Sequence, residues 1–412
     1  MQTTPSSPYL KSQPERSLIT ATAAFINIPK IKKFTPENAY SAMVGLHRAL
    51  ETYLKDRDYQ PDVLSAMTGG ILLVPDHSNI YIHNDLAGLA DLWFGMGIPV
   101  RMGVVHGEIE VIIDVDGNKN AVGELLNVAA RLATQKDKPG CLLHQSYLDF
   151  TQGIIGNDSL VRQGKFVAIS GKSHDVAKMR ALQLNAASFP TATDSKRIQV
   201  GDVQINGPVN AVAIAYDLPQ FSAGDRSELS KRVRSVADAF STFRAEGFLN
   251  ETLYFSPGGD GGIIVLQTKK REGYEAAERI AQLLQVESQG RHEQVQAVSR
   301  IGLHYGPVYL YNNAVQLVRP TGQVCFVADS LASDLAVSTI PREMVVFSEA
   351  FIDIAAEGSK EFFRLNYEEI SQLQEGPAKG LRRFVKRANT SEATQEVPIG
   401  SLGKRQGSWE PQ

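Results

Sequence analysis

The strongest constraint on this chain is that one order of motifs occurs in it twice. RMGVVHGE at 101–108 faces RIGLHYGP at 300–307, AFINIPKI at 24–31 faces AYDLPQF at 215–221, and AMTGGILLV in the first half faces PGGDGGIIVL in the second. Three matches in the same order mark an internal duplication, and at 412 residues each copy is long enough to bury its own core.

Each copy reads as β, α, β-hairpin, α, β. In the first, Ser17 to Ile28 suits a buried strand and Pro36 to Lys55 has helical periodicity. Val63 to Met67 and Ile71 to Val74 flank a turn at Thr68-Gly69-Gly70, a helix covers Leu86 to Phe94, and strands follow at Val100 to Val105 and Ile109 to Ile113. In the second, the strand Ala211 to Tyr216 precedes a helix at Arg226 to Phe243. Leu253 to Ser256 and Ile263 to Leu266 flank a glycine-rich turn, Tyr274 to Val286 is helical, and Arg300 to His304 opens a strand. This is the α+β, ferredoxin-like order βαββαβ, expected to carry its helices on one face of an antiparallel sheet. The expected boundaries are a disordered N-terminus at 1–16, units at 17–184 and 208–387, a linker at 185–207 and a disordered tail at 388–412.

Apolar residues make up 43% of the chain and charged residues 21%, as in soluble globular proteins. A net charge of -3 gives no global ground for a nucleic acid or a membrane as partner. Cys141 and Cys325 lie in different halves with no metal-ligand spacing, which argues against a disulfide scaffold or a zinc site. No apolar run reaches membrane length and the first residues are polar, so a cytoplasmic protein is expected.

Two stretches carry candidate chemistry. In GELLNVAARLA at 123–133, Leu125, Val128, Ala129 and Leu132 recur at helical spacing, while Asn127 and Arg131 share another edge. That spacing alone fits any amphipathic helix. In the second half Asp217 ends a strand and Asp260 sits in the turn GGDGG, where both carboxylates could reach one point and offer the hard oxygens that Mg²⁺ prefers. A lone GDG also fits an ordinary turn.

DLPQFS at 217–222, GDG at 259–261, RIGLH at 300–304 and GELLNVAARL at 123–132 together resemble the signature segments of class III nucleotidyl cyclases, the adenylate and guanylate cyclase catalytic domain. The resemblance spans both halves and implies two cyclase domains folded head to tail as an intramolecular pseudodimer in a monomer. It implies one site fed by both: Asp217 and Asp260, with Leu218, as ligands of two Mg²⁺ or Mn²⁺ ions, and Arg300 on the triphosphate. Asn127 would orient the ribose, Arg131 would stabilise charge on the α-phosphate, and Lys172 would hold the terminal phosphates. Leu218, Phe221 and Ser222 fall in the segment that approaches the substrate. The implied reaction is attack of the ribose 3′ oxygen on the α-phosphorus, releasing pyrophosphate.

Each half lacks what the other supplies. The first has Asn27 and Thr68 at the metal positions, and the second has Ser330 and Asp334 at those of Asn127 and Arg131. At the base-reading positions stand Leu64 and Asn120, which carry neither purine code; an amide offers both a donor and an acceptor. ATP is the expected substrate by frequency within the family, with a pyrimidine triphosphate as the other option. Lys30, Lys32 and Lys33 follow Asn27 and suit an anionic regulator at the degenerate site, or simply a solvated basic loop. The rival to an active cyclase is a catalytically silent relative that binds a nucleotide or partner and signals by conformation. His106 and His304 read as packing positions at equivalent strand ends.

Overall fold

The computed structural model describes residues 16–31, 34–55, 57, 61–66, 69–76, 82–113, 119–135, 140–155, 162, 164–169, 180–184, 198, 206–217, 253–257, 261–266, 274–283, 300–312, 318–321, 345–356, 365–372 and 380–387. The first half contributes β1 (Arg16–Asn27), α1 (Pro36–Leu54), β2 (Asp62–Ala66), β3 (Gly69–Pro75), α2 (Ile82–Gly95), β4 (Arg101–Ile113), β5 (Lys119–Val122) and α3 (Glu124–Ala133). It continues with β6 (Gly140–His144), α4 (Gln145–Ile155), β7 (Gly164–Ala168) and β8 (Arg180–Leu184). These strands form one eight-stranded sheet in the order β2-β3-β1-β4-β6-β8-β7, with β5 paired to β4. The first four strands are the expected ferredoxin-like core. The parallel pair β4–β6 extends it.

The period-2 alternation of β1 divides the core into two layers. Ala24 and Ile26 pack with α1, α2 and α4, while Ala21, Ala23 and Phe25 pack with α3. Helices therefore cover both faces, not the one face expected, because α3 closes over the side that α1 and α2 leave bare. Thr35 caps α1 by accepting from the Asn38 N–H at 3.3 Å, with Pro36 at its first turn. Buried Trp93 of α2 donates to the Leu46 carbonyl of α1 at 3.3 Å, so the two helices are tied as well as packed.

The second half contributes β9 (Asn206–Asp217), β10 (Leu253–Pro257), β11 (Gly261–Leu266), a helix at 274–283 (α5), β12 (Arg300–Asn312) and β13 (Val318–Thr321). After these come β14 (Val345–Ser348), α6 (Glu349–Ala356), β15 (Tyr367–Gln372) and β16 (Arg382–Lys386). The sheet order β10-β11-β9-β12-β14-β16-β15, with β13 on β12, repeats the first sheet strand for strand. Its core joins Ile214, Ile264, Leu303 and Phe351, and the hydroxyls of Tyr274 and Tyr367 meet inside it. The halves touch where α1 lies against β12 and β13, and where β2 lies beside β10.

Several local expectations change. Residues 101–113 form one strand, because β1 pairs with β4 without interruption through Gly107 and Glu108. Gly69 and Gly70 belong to β3 instead of the turn. A Cβ on Gly69 would sit 1.9 Å from the Ile26 carbonyl oxygen, so glycine is required there by the close approach of β1. Strand β9 begins at Asn206, inside the expected linker. The expected helix at 226–243 and both chain ends lie outside the described residues.

Candidate active site

The registers align the two halves residue by residue. In the first sheet Asn27 is cross-strand to Gly69 on β3 and to Arg101 on β4. In the second, Asp217 is cross-strand to Gly261 on β11 and to Arg300 on β12. Asp217 thus occupies the node of Asn27 and Arg300 that of Arg101, and in sequence Asp260 precedes Gly261 as Thr68 precedes Gly69. The pairing of Asn27 with Asp217 that the motifs imply is repeated by the hydrogen-bonded ladders. Arg300 is buried. Asp260 and Thr68 themselves lie outside the described residues, as do Lys172, Leu218, Phe221, Ser222, Ser330 and Asp334.

Helix α3 presents the other set. Gly123 precedes it with φ 137°, a conformation that costs other residues dearly, and this lets the chain leave β5 and turn directly into the helix. Leu126, Val128, Ala129, Leu132 and Ala133 are buried, and half-buried Leu125 packs against the same cluster, so the expected apolar face does meet a core. Gly103 of β4 lies under the helix: a Cβ there would come 2.1 Å from the Ala129 carbonyl oxygen. The same glycine recurs as Gly302 in the repeated motif.

Asn127 and Arg131 stand half-buried on the rim of α3. The Asn127 Nδ2 is buried and has no hydrogen-bond partner among the described residues. A buried amide donor left unmade costs roughly 1–3 kcal/mol, so a ligand that accepts from it would recover that energy. Leu64 is 6% exposed and packs in the same apolar cluster as Leu126. Its strand β2 lies beside β5, whose Asn120 pairs with Ile112. The two base-reading candidates and α3 are therefore gathered in one region of the first half.

The last turn of α3 is tied down by groups that the sequence did not single out. Thr134 donates through its hydroxyl to the Ala130 and Arg131 carbonyls, and Gln135 donates its side-chain amide to the Arg131 carbonyl. Asn27 Nδ2 donates to the Ala133 carbonyl at 3.4 Å, and Arg101 Nη1 to the Gln135 carbonyl at 2.8 Å. No linear motif signals these pairs, since their partners lie 106 and 34 residues apart in sequence.

The two histidines are not equivalents. His106 pairs across β1 with Thr22, whereas His304 pairs across β9 with Ala213, the counterpart of Ala23. His304 thus matches Val105, and the two side chains point to opposite faces. His106 stacks on Phe150 with ring centroids 3.6 Å apart and bonds Thr22 Oγ1 at 3.1 Å. Burial lowers its pKa and the nearby Asp76 carboxylate partly offsets this. His304 bonds Ser348 Oγ at 2.7 Å, and burial pushes it down to about 4. Both are packing groups, as expected.

Among the described residues no three His, Cys, Asp or Glu side chains gather as a metal site, and no helix is long and apolar enough to cross a membrane. No protein-family model matches the chain, and no curated protein matches its sequence. Solved structures do match in part. The guanylate cyclase domain of RhGC from Catenaria anguillulae, in complex with GTP, aligns at 13% identity and TM-score 0.35, covering 45% of this chain and 99% of that one. The guanylyl cyclase Cya2 aligns at 12% and 0.35, covering 47% and 98%. The adenylate/guanylate cyclase/hydrolase from Silicibacter pomeroyi aligns at 15% and 0.32, covering 44% and 99%. Similarity at this level transfers no residue role.

Proposed function

We propose that this chain is a nucleotidyl cyclase, converting a nucleoside triphosphate to a 3′,5′-cyclic nucleotide and pyrophosphate at one composite site between its halves, in the cytoplasm, for second-messenger signalling. The observation that carries the reading is the shared register. At one node of two matching sheets the first half has an amide, Asn27, and the second a carboxylate, Asp217, cross-strand from Arg300 and from the residue that follows Asp260. Among the described residues only the second half has a carboxylate at that node.

The donor set fits a divalent metal. Two carboxylates, one ending a strand and one in the adjoining hairpin, are hard oxygen donors of the kind Mg²⁺ and Mn²⁺ take. Asp217 and Asp260, with the Leu218 carbonyl, would hold two such ions, which when bound supply neutralisation of phosphate charge and acidify the attacking hydroxyl. The protein's own groups do the positioning. Arg300 and Lys172 hold the triphosphate, and the segment with Phe221 and Ser222 lies along it. Asn127 donates to the ribose the amide that has no partner among the described residues, and Arg131 sets its guanidinium against the α-phosphate, where charge grows as the 3′ oxygen bonds to phosphorus and the bond to pyrophosphate breaks. Leu64 and Asn120 meet the base, with ATP as the first candidate and a pyrimidine triphosphate as the second.

The test is a product assay with Mg²⁺ or Mn²⁺ and each of ATP, GTP, CTP and UTP, with cyclic products resolved by mass. A cyclic product lost in both Asp217→Ala and Arg131→Ala supports one composite site and names the base. Metal-dependent binding of a triphosphate without any product would replace the reading with that of a regulatory binding module.

A further inference from the structure

The carbonyls at the C-terminus of a helix have no partners within it, and their satisfaction decides how firmly the last turn is held. In α3 that turn carries Arg131 itself. Ala130 and Arg131 are served from within the turn by Thr134 and Gln135, and Leu132 by the Thr134 and Gln135 backbone N–H groups. The Ala133 carbonyl is served from β1 by Asn27, and the Gln135 carbonyl from β4 by Arg101. These two donors stand at the nodes that in the second half carry Asp217 and Arg300.

We propose that Asn27 and Arg101 are positioning residues: the first half has turned its copy of the metal and triphosphate nodes into a clamp that fastens the C-terminal end of α3 to the sheet and so sets the stations of Asn127 and Arg131. The chemistry explains the residue types. An amide can donate to a carbonyl, whereas a carboxylate at 27 could not, and its charge would face the negative end of the helix dipole. The arginine reaches past the last turn to a carbonyl that lies beyond the helix. Loss of the anionic ligand in the first half is on this account a gain of function. The proposal rests on the cyclase reading for its consequence in catalysis, but the clamp itself is a statement about α3.

The experiment uses the full chain and four variants: Asn27→Asp, Asn27→Ala, Arg101→Met and Arg101→Lys. Two readouts are taken, amide hydrogen exchange and steady-state cyclisation with Mn²⁺ and the triphosphate that the product assay selects. In Asn27→Asp and Arg101→Met, exchange in residues 127–135 is expected to rise at least tenfold while β9 and β12 stay protected, which separates loosening of α3 from general unfolding. Asn27→Asp loosens α3 more than Asn27→Ala does, because it adds repulsion to the lost bond. The value of kcat falls tenfold or more with KM changed less than threefold, since Arg131 acts in the transition state, and Arg101→Lys recovers part of the loss. Unchanged exchange in α3, or an active enzyme whose kcat ignores both substitutions, overturns the clamp. A wild-type protein that cyclises none of the four triphosphates overturns the cyclase reading alone, and the exchange comparison still decides the clamp.

Discussion

Arg131 is the residue on which the proposed chemistry leans most. Its backbone is fixed by Thr134 and Gln135 while its guanidinium stands on the rim of α3. Replacing a preorganised donor that acts in the transition state costs on the order of a hundred- to a thousandfold in rate. Arg131→Ala is therefore expected to lower kcat by that factor with little change in KM, in the same assay that identifies the product. Arg131→Lys should recover little, because a point charge does not reproduce the planar fork. Asp217→Asn makes the second half resemble the first at this node, and activity is expected to vanish while thermal stability holds or rises, as a melting curve would record.

At the scale of the element, α3 owes its position to what lies beneath it. Gly103 allows the helix backbone to rest on β4, with the Ala129 carbonyl and Leu132 within reach of any added Cβ. Gly103→Ala must push the helix off the sheet or distort β4, and overpacking of this kind costs about 1–3 kcal/mol. Its signature is a lowered urea midpoint together with a fall in kcat, whereas Gly95→Ala, where a Cβ would meet nothing within 4 Å, should leave both unchanged. The two substitutions are chemically the same. Only the ceiling above the glycine differs.

For the molecule as a whole, buried imidazoles tie stability to pH. His83, His106, His144 and His304 are all held below their usual pKa, mainly by burial, with His304 down to about 4. In the unfolded chain these groups take up protons near pH 6.5, before the folded state does. Stability is therefore full above that pH and is lost as pH falls toward 4. Melting temperatures measured between pH 7.5 and pH 4.5 should decline, and His304→Gln should flatten part of the decline. On the proposed reading the two matching sheets would divide the labour, the second half carrying Asp217 at the strand-end node and the first carrying Asn127 and Arg131 on α3.

The duplication, the βαββαβ order and the pairing of Asn27 with Asp217 were legible because strand-end motifs are local: a few consecutive residues, ordered alike in both halves, carry the signal. The amphipathic stripe of α3 was legible for the same reason. Its place on the opposite face from α1 and α2 was not, since periodicity tells that a helix has an apolar side and nothing about which face of a sheet it meets. Nor was the continuity of β4 through Gly107, which depends on the unbroken ladder with β1. The aligned motifs already set His304 against Val105 and His106 against Tyr305, and the ladders turn that one-residue offset into side chains on opposite faces. The clamp on α3 was invisible in sequence, because Asn27, Arg101 and the Ala133 and Gln135 carbonyls are brought together only when β1, β4 and the helix pack. Sequence determined what each segment is, through local backbone preference and apolar period. Tertiary structure decided which donors meet which acceptors, because hydrogen bonds between distant segments depend on packing that no single segment encodes.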